Sequence, residues 1–265
     1  SYPDMVHLAE GEPVIVECTQ ENGFILQPED LEAAITPKSK WVIFNSPSNP
    51  TGAGYNRAQM ETITNILMRH PHVWVMTDDM YEHLVYDDFE FFTPAQIEPE
   101  LYDRTLTING VSKAYAMTGW RMGYGVWPSD LIEPATRLSI NCHSCVNASA
   151  QWAGIAALQG PQDAVDDMVA AFYERRQSIV CALNSIPGFD CIQPGGAFYA
   201  FPNVSSIGIS AKTLQDKLLN EAGVATIAGT SFGYHGEGYL RFSYANSTEN
   251  IERAIERIRE CLSDI

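Results

Sequence analysis

The chain has 265 residues, 45% of them apolar and 18% charged, which allows one large domain or two smaller ones with ordinary packed interiors. A formal charge of −17 speaks against nucleic acid or an anionic membrane as a partner, although a local cationic pocket fits inside an acidic protein. No apolar run approaches the length of a membrane span.

In chain order, Asp4 to Ala9 reads as a short helix and Val14 to Cys18, after Pro13, as a strand. Pro28 opens a helix with Leu31, Ala34 and Ile35 as its apolar face. Trp41-Val42-Ile43-Phe44 is a continuous apolar run, the pattern of a parallel strand buried on both faces. It ends in Asn45-Ser46-Pro47-Ser48-Asn49-Pro50-Thr51-Gly52, dense in turn residues. Arg57 to Met68 is helical, Val73 to Thr77 a second strand ending at Asp78, and Thr105 to Ile108 a third. A fourth β-rich run extends from Arg121 through Val126.

Strands alternating with helices predict an α/β fold on a mostly parallel sheet, whose ligands bind beyond the carboxyl ends of the strands. Asn49, then Asp78 and Tyr81, then Lys113 follow three successive strand ends and so are expected at one edge. Helices follow over Ser129–Leu138 with Ser129 as cap, over about Val146–Leu158, and over Gln162–Asn184, where Pro187-Gly188 stops the chain. A domain boundary is placed inside that last helix, near Arg175. The remainder reads as a small α+β domain. Its strands are Phe198–Phe201, Val224–Ile227 and Tyr239–Ser243. Its helices are Ala211–Ala222, with Ser210 as cap and Gly223 as stop, and about Glu249–Leu262, capped by Ser247 or Thr248.

Six scattered cysteines read as small buried thiols of a reduced cytoplasm; Cys142-x-x-Cys145 has no second pair at zinc spacing, and the six histidines form no metal pattern. Lys113 at a strand end and Arg121 eight positions on put an amine beside a guanidinium. A desolvated amine near a cation loses its proton readily and becomes a nucleophile, and an arginine fork suits phosphate. Lysine imine plus phosphate clamp is what pyridoxal 5′-phosphate (PLP) requires. Asp78 and its neighbour Asp79 both follow the second strand, and alternation sends only one of them into the pocket. Arg241 alternates along a strand in Tyr-Leu-Arg-Phe-Ser-Tyr; it suits either a carboxylate ligand or an ion pair with Glu237.

Gly110-Val111-Ser112-Lys113, followed by Arg121-Met122-Gly123, resembles the lysine-site signature of class I/II aminotransferases, which are fold-type I PLP enzymes. Lys-Ala-Tyr-Ala-Met-Thr-Gly-Trp-Arg is typical of the bacterial aspartate/prephenate branch, and Asn49-Pro50-Thr51-Gly52 is similar to the family's turn. The resemblance implies a large cofactor domain over 1–174 and a small domain over 175–265, with amino transfer from an amino acid to 2-oxoglutarate in a homodimer. It selects Asp78 for the ring nitrogen, Asn49 and Tyr81 for the phenolic oxygen, Lys113 as imine former and base, Arg121 for the phosphate, and Arg241 for the substrate carboxylate. Family members often carry Ser where this chain has Gly110, so Ser112 is the substitute expected to reach the phosphate. The resemblance also implies on the order of a hundred further residues before Ser1, carrying a phosphate loop, a ring-stacking aromatic and the side-chain specificity group. A chain that truly began at Ser1 is expected to bind cofactor weakly. Other readings are a β-lyase on the same scaffold, an inactive fragment, and a non-catalytic module.

Overall fold

The computed structural model describes residues 1–263. A four-stranded sheet is built from β1 (Trp41–Asn45), β2 (Trp74–Asp78), β3 (Thr105–Gly110) and β4 (Gly123–Val126), in that spatial order. The first three are parallel and β4 returns antiparallel to β3, with Gly110 opposite Gly123 at the mouth of the hairpin that carries Lys113. Helix α1 (Tyr2–Leu8), α2 (Pro28–Ala34), α3 (Arg57–Arg69) and the short α4 (Pro94–Ile97) surround it. Asn56 caps α3 with a full capping box, its side chain accepting from Gln59 while Gln59 reaches back.

Three helices follow: α5 (Ser129–His143), α6 (Ala148–Gln159) and the long α7 (Asp163–Asn184). Beyond α7, β5 (Tyr199–Ala200), β6 (Ile227–Ala228) and β7 (Leu240–Ser243) form a second, antiparallel sheet in the order β5-β7-β6. It is covered by α8 (Ala211–Ala222) and α9 (Thr248–Cys261), with Ser210 capping α8, Gly223 ending it in the left-handed conformation, and Ser247 capping α9.

Several expectations need correction. Val14–Cys18 pairs with no strand among the described residues, and Val14 and Ile15 face solvent. Branched side chains favour extended backbone, but a strand exists only through a pairing partner. β1 is a sheet edge among the described residues, so Trp41 is 40% exposed and only Phe44 is buried, not both faces. Helix α5 is capped at Pro128, not Ser129, and runs on past Leu138 because Arg137, Ser139, Asn141 and His143 continue the i,i+4 bonding. Of the cysteines only Cys191 is buried; Cys142, Cys145 and Cys181 are exposed, and all six are free. Ladder pairing begins at Ile227, not Val224, and at Tyr199, not Phe198.

Two apolar cores lie on either side of the site. One joins α2, α3, β1 and β2 through Leu31, Phe44, Met60, Ile63, Leu67 and Val75. The other joins α7, α8, α9 and the second sheet, and it takes in Tyr81, Leu84 and Tyr86 from the loop after β2. α7 buries Val165, Phe172, Ile179, Val180 and Leu183 as one stripe and with them Arg176, which is 1% exposed. That guanidinium lies 4.6 Å from the Tyr86 ring and 5.1 Å from the Tyr173 ring, and it donates to Pro194 O and the Asp87 carboxylate at 2.9 and 2.7 Å.

Alternation along β2 buries Val75, Thr77 and, just past the strand, Asp79. Asp79 is 2% exposed and accepts the Thr77 hydroxyl; burial pushes its carboxyl up to about 7. The folded state therefore holds a proton that the unfolded chain has released, so stability is greatest below the ordinary carboxyl range and falls as pH rises towards 7. Asp79→Asn keeps an acceptor for Thr77 and removes this titration. In thermal melts at pH 5 and 8 the variant should lose on the order of 2 kcal/mol less stability over that interval than the parent.

Candidate active site

The carboxyl ends of β1, β2 and β3 and the open side of the second sheet converge. Lys113 lies just past β3, half-buried, with Nζ 5.7 Å from the centre of the Phe198 ring. Burial, then the nearby Arg241 and Arg121 charges, hold its ammonium below the ordinary lysine value. The amine is therefore easier to deprotonate than one in water.

Asp78 closes β2 on the face opposite Asp79, as alternation requires. Its Oδ2 accepts the Tyr2 hydroxyl at 2.5 Å and its Oδ1 accepts Met80 N at 3.2 Å. Burial raises the Tyr2 phenol and the facing carboxylate raises it further, so Tyr2 stays a donor. Nothing in Ser1-Tyr2-Pro3 marked Tyr2 as a site residue; only the fold brings it to the β2 end. Asn45 was missed as well. It pairs with Asp78 in register, donates to Asp78 O at 3.0 Å and accepts Asn49 N at 2.8 Å, so one amide ties the turn after β1 to the end of β2.

Asn49 and Arg241 meet across the two sheets: Arg241 Nη1 donates to Asn49 Oδ1 at 2.8 Å. The guanidinium carbon sits 4.5 Å from the Tyr199 ring and 5.0 Å from the Phe232 ring. Its Nε–H is buried and has no partner among the described residues. Glu237 does not neutralise it; that carboxylate accepts the first amide of α8, Ala211 N, at 2.8 Å. Tyr81 is buried and its hydroxyl lies 2.9 Å from that of Tyr199.

Arg121 is exposed, with left-handed backbone at φ 54° and Nη1 donating to Thr118 O at 3.0 Å. It stands near enough to Lys113 to depress the amine. Ser112 is half-buried beside Lys113. At Gly110 an added Cβ would lie 3.0 Å from Met122 O and 3.1 Å from Gly123 Cα, so the hairpin mouth is too tight there for a side chain without a shift. The turn holding Asn49 is packed as closely: Gly52, at φ 71°, would bring a Cβ to 2.3 Å from Pro194 Cβ, and Gly196 would bring one to 2.5 Å from Pro47 Cγ.

The donor set suits a phosphorylated pyridine aldehyde. It offers an amine for an imine, a carboxylate for a ring nitrogen, an amide and a phenol for a ring oxygen, and an exposed guanidinium for phosphate. A second guanidinium, that of Arg241, keeps a buried N–H with no partner among the described residues, as Arg176 also does, and its charge suits a carboxylate. Sheet and donor set together are consistent with the fold-type I class of PLP enzymes.

Comparison with known proteins narrows this. The chain belongs to the aminotransferase class I and II family, whose model matches residues 1–258. It is 52% identical to an aspartate/prephenate aminotransferase of Cereibacter sphaeroides, covering 98% of this chain and 67% of that one. It is 48% identical to an aspartate aminotransferase of Rhizobium meliloti, covering 97% and 65%. The crystal structure of the aspartate aminotransferase from Rhizobium meliloti superposes with a TM-score of 0.94 at 45% identity, over 99% of this chain and 68% of that one. The Thermus thermophilus enzyme with maleate gives a TM-score of 0.90 at 38% identity, over 98% and 67%. The chain thus spans about two thirds of the length of these relatives.

A lowered amine makes a chemical forecast. Reductive labelling with a small aldehyde and borohydride, followed by peptide mass mapping, should show Lys113 reactivity climbing at a pH below the ordinary lysine value. In Arg241→Leu the climb should move back upward, because one of the two facing cations is gone.

Proposed function

We propose that this chain carries the catalytic centre of a PLP-dependent aminotransferase that moves an amino group from an amino acid to 2-oxoglutarate. Aspartate is the foremost donor, with aromatic or prephenate-type substrates as further candidates. The observation that carries this reading is the pairing of a deprotonation-prone Lys113 with an Arg241 whose guanidinium is held by Asn49 and two aromatic rings yet keeps a buried, unpartnered N–H. A β-lyase on the same scaffold would need no 2-oxo acid acceptor, and the relatives' names favour transfer.

In this reading Arg241 takes the α-carboxylate of the donor and fixes its orientation, with Asn49 steadying the fork. Asp78, oriented by Tyr2 and by Met80 N, would hold the ring nitrogen and favour its protonated form. Bound PLP supplies an electron sink for the charge left at the substrate Cα. Tyr81 and Asn49 would hold the ring oxygen, and Arg121, helped by Ser112, would hold the phosphate. Lys113 would be the covalent tether of the cofactor, and its amine would be the group that takes the Cα proton and returns it, as general base and then acid.

We place the change from large to small domain within α7, near Arg175, in keeping with the separate apolar cores. The six free thiols accord with a cytoplasmic enzyme. Among the described residues no helix is long and apolar enough to cross a membrane.

A homodimer is part of the proposal. α5 buries no residue at all, and Ile132, Leu138 and Ile140 on α5, Trp120 before it and Trp152 on α6, which is 73% exposed, leave a broad apolar surface open. A second copy is the occupant the reading requires, since Trp120, His143 at the end of α5 and Ala150 on α6 line one open cavity with Arg121. Sedimentation should show a dimer that Leu138→Asp with Trp152→Asp converts to monomer; a parent that stays monomeric at high concentration would assign the surface to another covering.

The experiment for the activity itself is a half-reaction with aspartate. Arg241→Leu should raise KM for aspartate about 100-fold, the loss of one charge-assisted carboxylate clamp, with a smaller change in kcat. An unchanged KM would remove Arg241 from the substrate site.

A further inference from the structure

Tyr199 touches two groups of the site and has no part in the scheme above. It lies on β5 opposite Ser243, two positions from Arg241 on β7. The face of its ring receives the Arg241 guanidinium at 4.5 Å, and its hydroxyl meets the Tyr81 hydroxyl at 2.9 Å. The Tyr81 and Tyr199 rings stand edge to face at 5.8 Å, and both are buried. Its neighbour Phe198 turns its ring to Lys113 Nζ. A phenylalanine would fill the same space, receive the same cation and pack on the same ring. Only the link to Tyr81 needs the hydroxyl.

A cation over a phenol ring strengthens that phenol as a hydrogen-bond donor, and a donor in a chain strengthens the next one. A carboxylate on the guanidinium cancels part of the charge and weakens the chain. We propose that Tyr199 is a positioning residue that ties Arg241 to Tyr81, so that a carboxylate held by the guanidinium is registered at the Tyr81 hydroxyl. The inference rests on the cofactor reading above. It adds that arrival of substrate at one end of the pocket changes the hydrogen bonding of the cofactor's ring oxygen at the other.

The test is a pH titration of the absorbance band of the lysine-bound cofactor, with and without saturating succinate. In the parent protein succinate should move the midpoint. In Tyr199→Phe the move should shrink by at least half, and in a Tyr81→Phe background the Tyr199→Phe change should add nothing. A full-sized move in Tyr199→Phe, or the same loss in both backgrounds, overturns the link and leaves Tyr199 a packing residue. A parent protein with no such band refutes the cofactor reading separately. Succinate affinity of the cofactor-free protein, by calorimetry, then decides the link alone. By reciprocity a bond that succinate weakens opposes succinate, so binding up to about five-fold tighter in Tyr199→Phe, the worth of one neutral hydrogen bond, supports it, and equal or weaker binding overturns it.

Discussion

The hydrogen bond from Arg241 to Asn49 joins two sheets that share no strand. Asn49 hangs from the turn after β1, and Arg241 alternates out of β7, almost two hundred positions later. Each is fixed from its own side. Asn45 holds the Asn49 amide, and the rings of Tyr199 and Phe232 hold the guanidinium. Arg241 as a whole is only part-buried, and the rings and the amide use part of its donor capacity while Nε stays idle out of solvent. The arrangement leaves the protein ready for an anion and poorly suited to an apolar occupant.

The same argument explains the acid pair after β2. A two-residue period sends Asp78 and Asp79 to opposite faces, and the chemistry of each follows from where it lands. Asp78 is shared between a phenol and a backbone amide at the pocket. Asp79 lies beneath the sheet with Thr77. One carboxylate can serve as a counter-charge, whereas burial pushes the other up to about 7, so that it keeps its proton at mildly acid pH.

Much of this was legible in the residues. The apolar runs of β1 to β3, the stripe of α7 and the caps of α8 and α9 carry local signals, and strand-end placement alone gathered Asn49, Asp78, Tyr81 and Lys113. What escaped depends on distance. Tyr2 reaches Asp78 across 76 positions and Tyr199 reaches Tyr81 across 118, and no local pattern encodes such meetings. Arg176 escaped for another reason: a charged residue on an apolar stripe reads as a flaw in the periodicity until two rings, a carbonyl and a carboxylate are found around it. Val14 to Cys18 misled in the opposite direction, having strand composition without a neighbour to pair with.

The close approach of the 47–52 turn to the 194–196 loop has an evolutionary corollary. With Gly52 against Pro194 and Gly196 against Pro47, neither segment has slack to accept a methyl group on its own. Substitutions there can survive only as compensating sets, so the two stretches should drift together through descent, and a library that randomises one while freezing the other will mostly recover the parental glycines.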